Sequence, residues 1–214
     1  MFTSKNFKIH AGFTLIELTI AMIVFVIFIA VVFSSGLFLA RAFRSANEER
    51  LMYQEAQYLL GFMSQNIRAG TIDYSCYGDS NCESQKLDEN NGFVDNTLAI
   101  RLPEGQRVIF QKNEENALRF VRQIESDDGT WRDASDFSDG FAVLSRDSIV
   151  VERLAFLITP VADPYQSENV SKNEVQYQPR VTIFITLRPK TPFRSGNMRL
   201  DFQTTLSSRT YKRL

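Results

Sequence analysis

Few residues in this 214-residue chain are of types that carry out covalent chemistry, and their spacing is informative. The chain holds one histidine, His10, and it stands in a short polar segment ahead of a long apolar run. A Ser-His or Cys-His nucleophile pair could be built on that residue alone. No G-x-S-x-G, P-loop or G-x-G-x-x-G spacing occurs. The acid pair Asp127-Asp128 precedes Gly129, the composition of a hydrated turn. Cys76 and Cys82 lie in the stretch YSCYGDSNCE, residues 74–83. Their spacing is not C-x-x-C, and two cysteines with no following histidine make a poor zinc set. Outside the cytoplasm so close a pair is most simply a disulfide, with free thiols as the alternative. Asp73, Asp79, Asn81 and Glu83 offer oxygen atoms of the kind calcium uses, yet no EF-hand spacing joins them, so a solvated acidic turn is the simpler reading. No cofactor is expected, and the chain does not read as an enzyme.

The acid that needs explaining is Glu17. Residues 12–40 read GFTLIELTIAMIVFVIFIAVVFSSGLFLA, and Glu17 is the one charge among them. A bilayer core of roughly 30 Å takes about 20 apolar helical residues to cross, so this run is long enough to span a membrane. A carboxylate within such a run costs a few kcal/mol on insertion scales and so points to function. The segment ahead of the run carries Lys5 and Lys8 and no acid. A secretory signal peptide would have a shorter apolar stretch closed by small residues. Here the small pair Ala11-Gly12 comes before the apolar stretch, which suggests a cut ahead of the helix. Lys5 and Lys8 on one side and Arg41 and Arg44 on the other leave orientation undecided by charge.

Gly12-Phe13-Thr14-Leu15-Ile16-Glu17 followed by the apolar run resembles the class III signal of type IV pilins and of the pseudopilins of type II secretion. The resemblance implies cleavage between Gly12 and Phe13 by prepilin peptidase, N-methylation of Phe13, and an assembly role for Glu17. It also implies a leader in the cytoplasm, a single-pass inner (cytoplasmic) membrane anchor, and an extracytoplasmic C-terminal domain. A charge buried among packed apolar helices must be paired. The nearby cation is the N-terminal amine of a neighbouring Phe13, so pairing with Glu17 would set the offset between subunits. Many major pilins of this family carry a proline inside the apolar run. This chain has Ser34-Ser35-Gly36 there instead, a local weak point rather than a break.

These residues need a long helix to position them. Residues 41–70 lack proline and are rich in good helix formers. Met52, Ala56, Leu59, Met63 and Ile67 recur at spacings of four, three, four and four, an apolar stripe that must be buried against something. Gly70 is the stop signal. A helix from Phe13 to Ala69 would be about 85 Å long at 1.5 Å per residue. The organisation expected is a cleaved leader at 1–12, a transmembrane or filament-core helix at 13–40, an amphipathic continuation at 41–70, and a β-rich globular domain at 71–214.

Strand-like runs in that last region are Thr97–Leu102, Arg107–Gln111, Ala117–Ile124, Phe141–Leu144, Ile149–Thr159, Val181–Leu187 and Met198–Leu206. The fold class expected is α+β, a long N-terminal helix packed on an antiparallel β-sheet domain. The strand pattern, with Asn66-Ile67-Arg68-Ala69-Gly70 at the helix end, resembles the J-type minor pseudopilins and the related W-type minor pilins. That second resemblance implies a minor subunit at a filament tip.

The chain has 24 Lys and Arg against 25 Asp and Glu. Without Lys5 and Lys8 it would be mildly acidic. Acids dominate from Asp73 to Asp139, whereas from Gln176 onward bases do, among them Arg180, Arg188, Lys190, Arg194 and Arg199. A solvated strand face is the plain reading, and complementarity between neighbouring subunits the sharper one. The expected partners are prepilin peptidase, other pilin or pseudopilin subunits, an inner-membrane assembly platform, and membrane lipid before assembly. The alternative is a DNA- or surface-binding minor pilin of a competence or adhesion filament, where the basic strands would neutralise phosphates in a salt-dependent way.

Overall fold

The structure is a computed structural model that describes residues 14–78, 86–134, 140–164, 178–191 and 198–208. Gly12, Phe13 and Cys82 lie outside the described residues, as do Asp79, Asn81, Glu83 and Arg194. The chain divides into two compact units, Met1–Asn47 and Glu48–Leu214.

Helix α1 covers Leu15–Ala69 without interruption. In the first unit every helical residue is exposed, and the side chains are apolar on all sides, including Leu18, Ile23, Phe28 and Phe33. A helix that is hydrophobic all round belongs in lipid or in the middle of an assembly. Its most apolar 18-residue window has a mean hydropathy of 3.0, long and apolar enough to cross a membrane. The few hydroxyls inside it are satisfied locally: Thr19 Oγ1 donates to the Leu15 carbonyl, and Ser34 and Ser35 both donate to the Val31 carbonyl. Back-bonding of this kind hides a polar group from hydrocarbon without ending the helix. The helix accordingly runs through Ser34-Ser35-Gly36.

In the second unit the stripe Met52, Ala56, Leu59, Met63 and Ile67 is buried, as its spacing predicts. Helix α1 ends where the backbone needs room. A Cβ on Gly70 would stand 2.6 Å from both the Arg101 carbonyl oxygen and Ile100 Cγ2. Glycine stops the helix here through close approach to a strand, with no positive φ involved.

The remaining elements are β1 (Thr71–Ile72), α2 (Ser75–Gly78), β2 (Phe93–Asp95), β3 (Thr97–Leu102), β4 (Gln106–Lys112), β5 (Leu118–Glu125), β6 (Trp131–Asp133), β7 (Phe141–Val143), β8 (Ile149–Thr159), β9 (Arg180–Pro189) and β10 (Leu200–Ser207). One sheet has the order β1-β3-β4-β5-β6, with β7 also on β5. The other has the order β10-β9-β8-β2. All pairings are antiparallel. The protein is thus α+β, a long N-terminal helix followed by an antiparallel β-sheet domain, as the sequence predicts. The strands expected from alternation are present within two residues at each end. The elements not expected, β1, β2, β6 and α2, are two to four residues long, too short for periodicity to register.

One apolar core joins both sheets to the helix. Phe62 of α1 packs edge-on against Phe110 of β4 and Phe120 of β5, with ring centroids 6.1 and 5.1 Å away. Two asparagines with positive φ stand where the sheets meet: Asn96 carries the chain from one sheet to the other, and Asn116, in the β4–β5 turn, bonds across to the second sheet. Asn96 (φ 62) separates β2 from β3; its N–H donates to the Leu154 carbonyl and its carbonyl accepts from Lys112 N. Asn116 (φ 60) accepts from Val151 N. Asparagine is among the few residues that visit this left-handed region readily.

Candidate functional site

The first candidate is the start of α1. The Thr14 carbonyl accepts from Leu18 N at 3.2 Å, which makes Thr14 the N-cap. Glu17 Oε2 accepts from both the backbone N and the Oγ1 of Thr14 at 3.0 Å, and Glu17 N donates to Thr14 Oγ1 at 3.4 Å. This is a reciprocal capping box: two donors left over at a helix start are satisfied by the N-cap and third-position side chains. The signal was present in the sequence as Thr-x-x-Glu, apart from anything Glu17 does between subunits. Glu17 also stands at the head of a shallow apolar groove lined by Ile20, Ala21, Val24, Phe25 and Phe28. Those residues follow at helical spacing, so the acid and the groove share one face of the helix.

The second unit carries two ion pairs that composition did not reveal, one with a buried carboxylate and one buried on both sides. Glu55, one residue before Ala56 of the apolar stripe, is 2% exposed. Its Oε1 accepts from Arg146 N at 2.8 Å, and its Oε2 lies 3.2 Å from Arg146 Nε. A carboxylate buried with both oxygens engaged by one residue is a charge-assisted, two-point contact. It fastens α1 to the connection between β7 and β8.

Arg107 of β4 is the largest fully buried side chain. Its Nη1 lies 3.3 Å from Asp73 Oδ2, its Nε donates to Gln123 Oε1 at 3.0 Å, and its Cζ stands 4.1 Å from the centre of the Trp131 ring. Burial pushes the guanidinium's pKa down, and the Asp73 carboxylate opposes that shift. Asp73 also accepts from Ser75 Oγ. The carboxylate weighed above as a calcium ligand is therefore engaged by an arginine and a serine. Among the described residues no group of three or more His, Cys, Asp or Glu could hold a metal ion.

Cys76 is buried on α2 next to Tyr77, whose hydroxyl accepts from Ala99 N at 2.9 Å. Cys82, its expected partner, lies outside the described residues. The basic residues of the C-terminal strands do share a face. The pairing of Arg153 with Thr186 and of Asp201 with Thr186 puts Arg153, Arg180 and Arg188 on one side of the second sheet, and Arg199 joins them through Asp201, 3.5 Å away. Arg199 also pairs with Glu152 at 3.7 Å, so part of this charge is neutralised in place.

A family model described as "Prokaryotic N-terminal methylation motif" matches residues 8–33. No curated protein and no solved structure matches the chain. The matched stretch takes in the Gly12-Phe13 junction, the Thr14–Glu17 capping box and most of the apolar part of the helix. A long apolar helix near the N-terminus followed by a folded domain fits a single-pass membrane anchor. The motif is a type IV prepilin-like signal, and it implies processing by prepilin peptidase and assembly with other pilins.

Proposed function

We propose that the protein is a non-enzymatic, tip-associated minor subunit of a type IV pilus or of a type II secretion pseudopilus, held in the inner membrane before assembly. Prepilin peptidase cuts between Gly12 and Phe13, Phe13 is N-methylated, and the helix then enters a filament core. The observation that carries this reading is the coincidence of a lone acid, Glu17, with the head of an apolar groove in a helix exposed on every side. Such a surface becomes stable in water only when other helices cover it. Glu17 then receives its cation from the amine of a neighbouring Phe13, which fixes the axial offset between subunits. The β-domain, stapled to α1 by Glu55 and Arg146, faces the periplasm and supplies partner contacts. There Cys76 and Cys82 form a disulfide, which two reactive thiols in protein made without reductant would disprove.

The test is to express the chain with a working prepilin peptidase and with an inactive one, and to measure intact mass and filament incorporation. The expected product lacks residues 1–12 and carries one methyl group on Phe13. Full-length chain in cells with active peptidase would refute the reading.

A second reading is a nucleic-acid-binding tip, favoured by the alignment of Arg153, Arg180 and Arg188 on one sheet face. It requires DNA affinity that falls steeply with salt. A filter-binding titration of the full chain in detergent at two salt concentrations separates the two readings.

A further inference from the structure

Strand β10 is an edge strand of eight residues, and its outer edge bears no partner among the described residues. Among the described residues the other edges of the two sheets are short or partly covered. Strand β1 has two residues, and β6 and β7 have three each. At the far side of the second sheet, β2 covers part of β8, while Asn96 N donates to Leu154 O, Val151 N to Asn116 O and Ile158 N to Gly92 O. Long exposed edges are ordinarily blunted by proline, lysine or a bulge. Strand β10, LDFQTTLS, has none of these, and its only charge is Asp201.

The polarity of that edge follows from register. Ser208 N donates to Pro179 O at 3.2 Å, in phase with the ladder in which Leu206 faces Val181 and Leu200 faces Leu187. Hydrogen-bonded pairs alternate along an antiparallel ladder. Residues 200, 202, 204 and 206 therefore direct N–H and C=O toward β9, and Asp201, Gln203, Thr205 and Ser207 direct theirs outward. Four donors and four acceptors in regular alternation are the complement of an extended backbone. Beside them, Leu200 and Phe202 are half-buried, and Phe202 packs edge-on against Tyr53 of α1 at 5.4 Å. Tyr53 itself remains 44% exposed.

We propose that the open edge of β10 docks an extended segment of a different, neighbouring filament subunit, which adds to the second sheet as a fifth strand. Main-chain hydrogen bonds to residues 201, 203, 205 and 207 hold it. Its alternate side chains are apolar where they meet Leu200, Phe202 and Tyr53, and polar where they lie beside Gln203 and Thr205. Strand addition at an edge obtains affinity from the backbone and specificity from those alternate positions. A second copy of this chain is the poorer occupant. Among the described residues the one long open edge it could offer is β10 itself, in a two-fold pair, and such a contact closes a dimer instead of extending an assembly. The proposal rests on the filament reading above.

The experiment is residue-resolved amide hydrogen exchange on the full chain, in detergent micelles and in isolated filaments. The amides of residues 201, 203, 205 and 207 are expected to exchange rapidly in micelles and at least about 100-fold more slowly in filaments. Those of 202, 204 and 206 should be slow in both, which reports that the domain is folded. Gln203→Pro and Thr205→Pro each delete one outward N–H and should lower the chain's content in filaments while protection at 202 and 206 persists. Filament-bound chain with unchanged exchange at the four outward amides overturns the proposal. Protection that rises with concentration in the purified chain alone also overturns it, in favour of a second copy. A chain absent from filaments altogether refutes the filament reading, and the proposal with it.

Discussion

Glu55 and Arg146, 91 positions apart in the chain, meet through both carboxylate oxygens, one on the arginine's backbone N–H and one on its guanidinium. The two partners are not equivalent. Glu55 is 2% exposed, whereas the Arg146 side chain is 63% exposed. Arg146→Ala leaves a buried carboxylate with a single backbone donor, a loss of about 1–3 kcal/mol. Glu55→Gln keeps a hydrogen-bond acceptor in place and returns the guanidinium to water, so it should cost less. Urea unfolding of the two variants in micelles gives the order, and equal losses would mean that Coulombic attraction rather than desolvation governs the contact.

Asp73 and Arg107 differ in that both partners are out of water, at 4% and 2% side-chain exposure. Removing one partner of such a pair leaves an uncompensated buried charge, at a cost of about 3–5 kcal/mol. Asp73→Ala should therefore destabilise strongly, and Asp73→Ala with Arg107→Met should recover much of the loss. A double-mutant cycle by urea unfolding measures the coupling. Additive losses would show that the guanidinium is held by Gln123 and Trp131 alone.

The helix was legible in the sequence because its signals are local. The four, three, four, four spacing of Met52 to Ile67 marks the buried face, and the uninterrupted apolar residues mark the exposed half. Glu55 was not legible, since a glutamate beside Gln54 looks like surface until a loop 91 residues later covers it. Arg107 was hidden for the same reason: on β4 it alternates as an outward residue, and its burial depends on Asp73 and Trp131 from other elements. The capping box at Thr14 was spelled out, yet the cost of an acid in an apolar helix is the larger effect and dominates the reading of Glu17. The open edge of β10 could not be seen from composition, because it depends on strand order.

Tyr77 gives a pH prediction whose sign is fixed. Its phenol is buried, and burial raises its pKa well above the ordinary value of 10.0, helped by the Asp73 carboxylate and opposed by the bond from Ala99 N. The folded chain holds this proton at pH values where the unfolded chain has released it. Stability is therefore fully present below about pH 10 and falls as pH rises above it, by at most about 1.4 kcal/mol per pH unit for one proton. Tyr77→Phe should lose about 1 kcal/mol at pH 7, because Ala99 N loses its acceptor. It should also flatten the alkaline decline, which unfolding at pH 7 and at pH 11 will measure.

Thr14 and Glu17 allow the two duties of the acid to be separated. In the isolated helix Glu17 closes the capping box, and loss of such a cap costs about 1 kcal/mol. Thr14→Val removes the hydroxyl that accepts from Glu17 N but leaves the carboxylate and its charge. Glu17→Gln does the reverse: its amide oxygen can still accept from Thr14 N, and the charge is gone. If charge pairing with a neighbour's amine drives assembly, Glu17→Gln should be processed at the wild-type rate yet fall at least about tenfold in filaments, a deficit of about 1.4 kcal/mol. Thr14→Val should stay closer to wild type. Intact mass of the membrane form reads processing, and quantitative immunoblotting of sheared filaments reads incorporation. A Thr14→Val defect as large as that of Glu17→Gln would assign the role of Glu17 to the helix start, since Thr14→Val weakens the cap and leaves the charge in place.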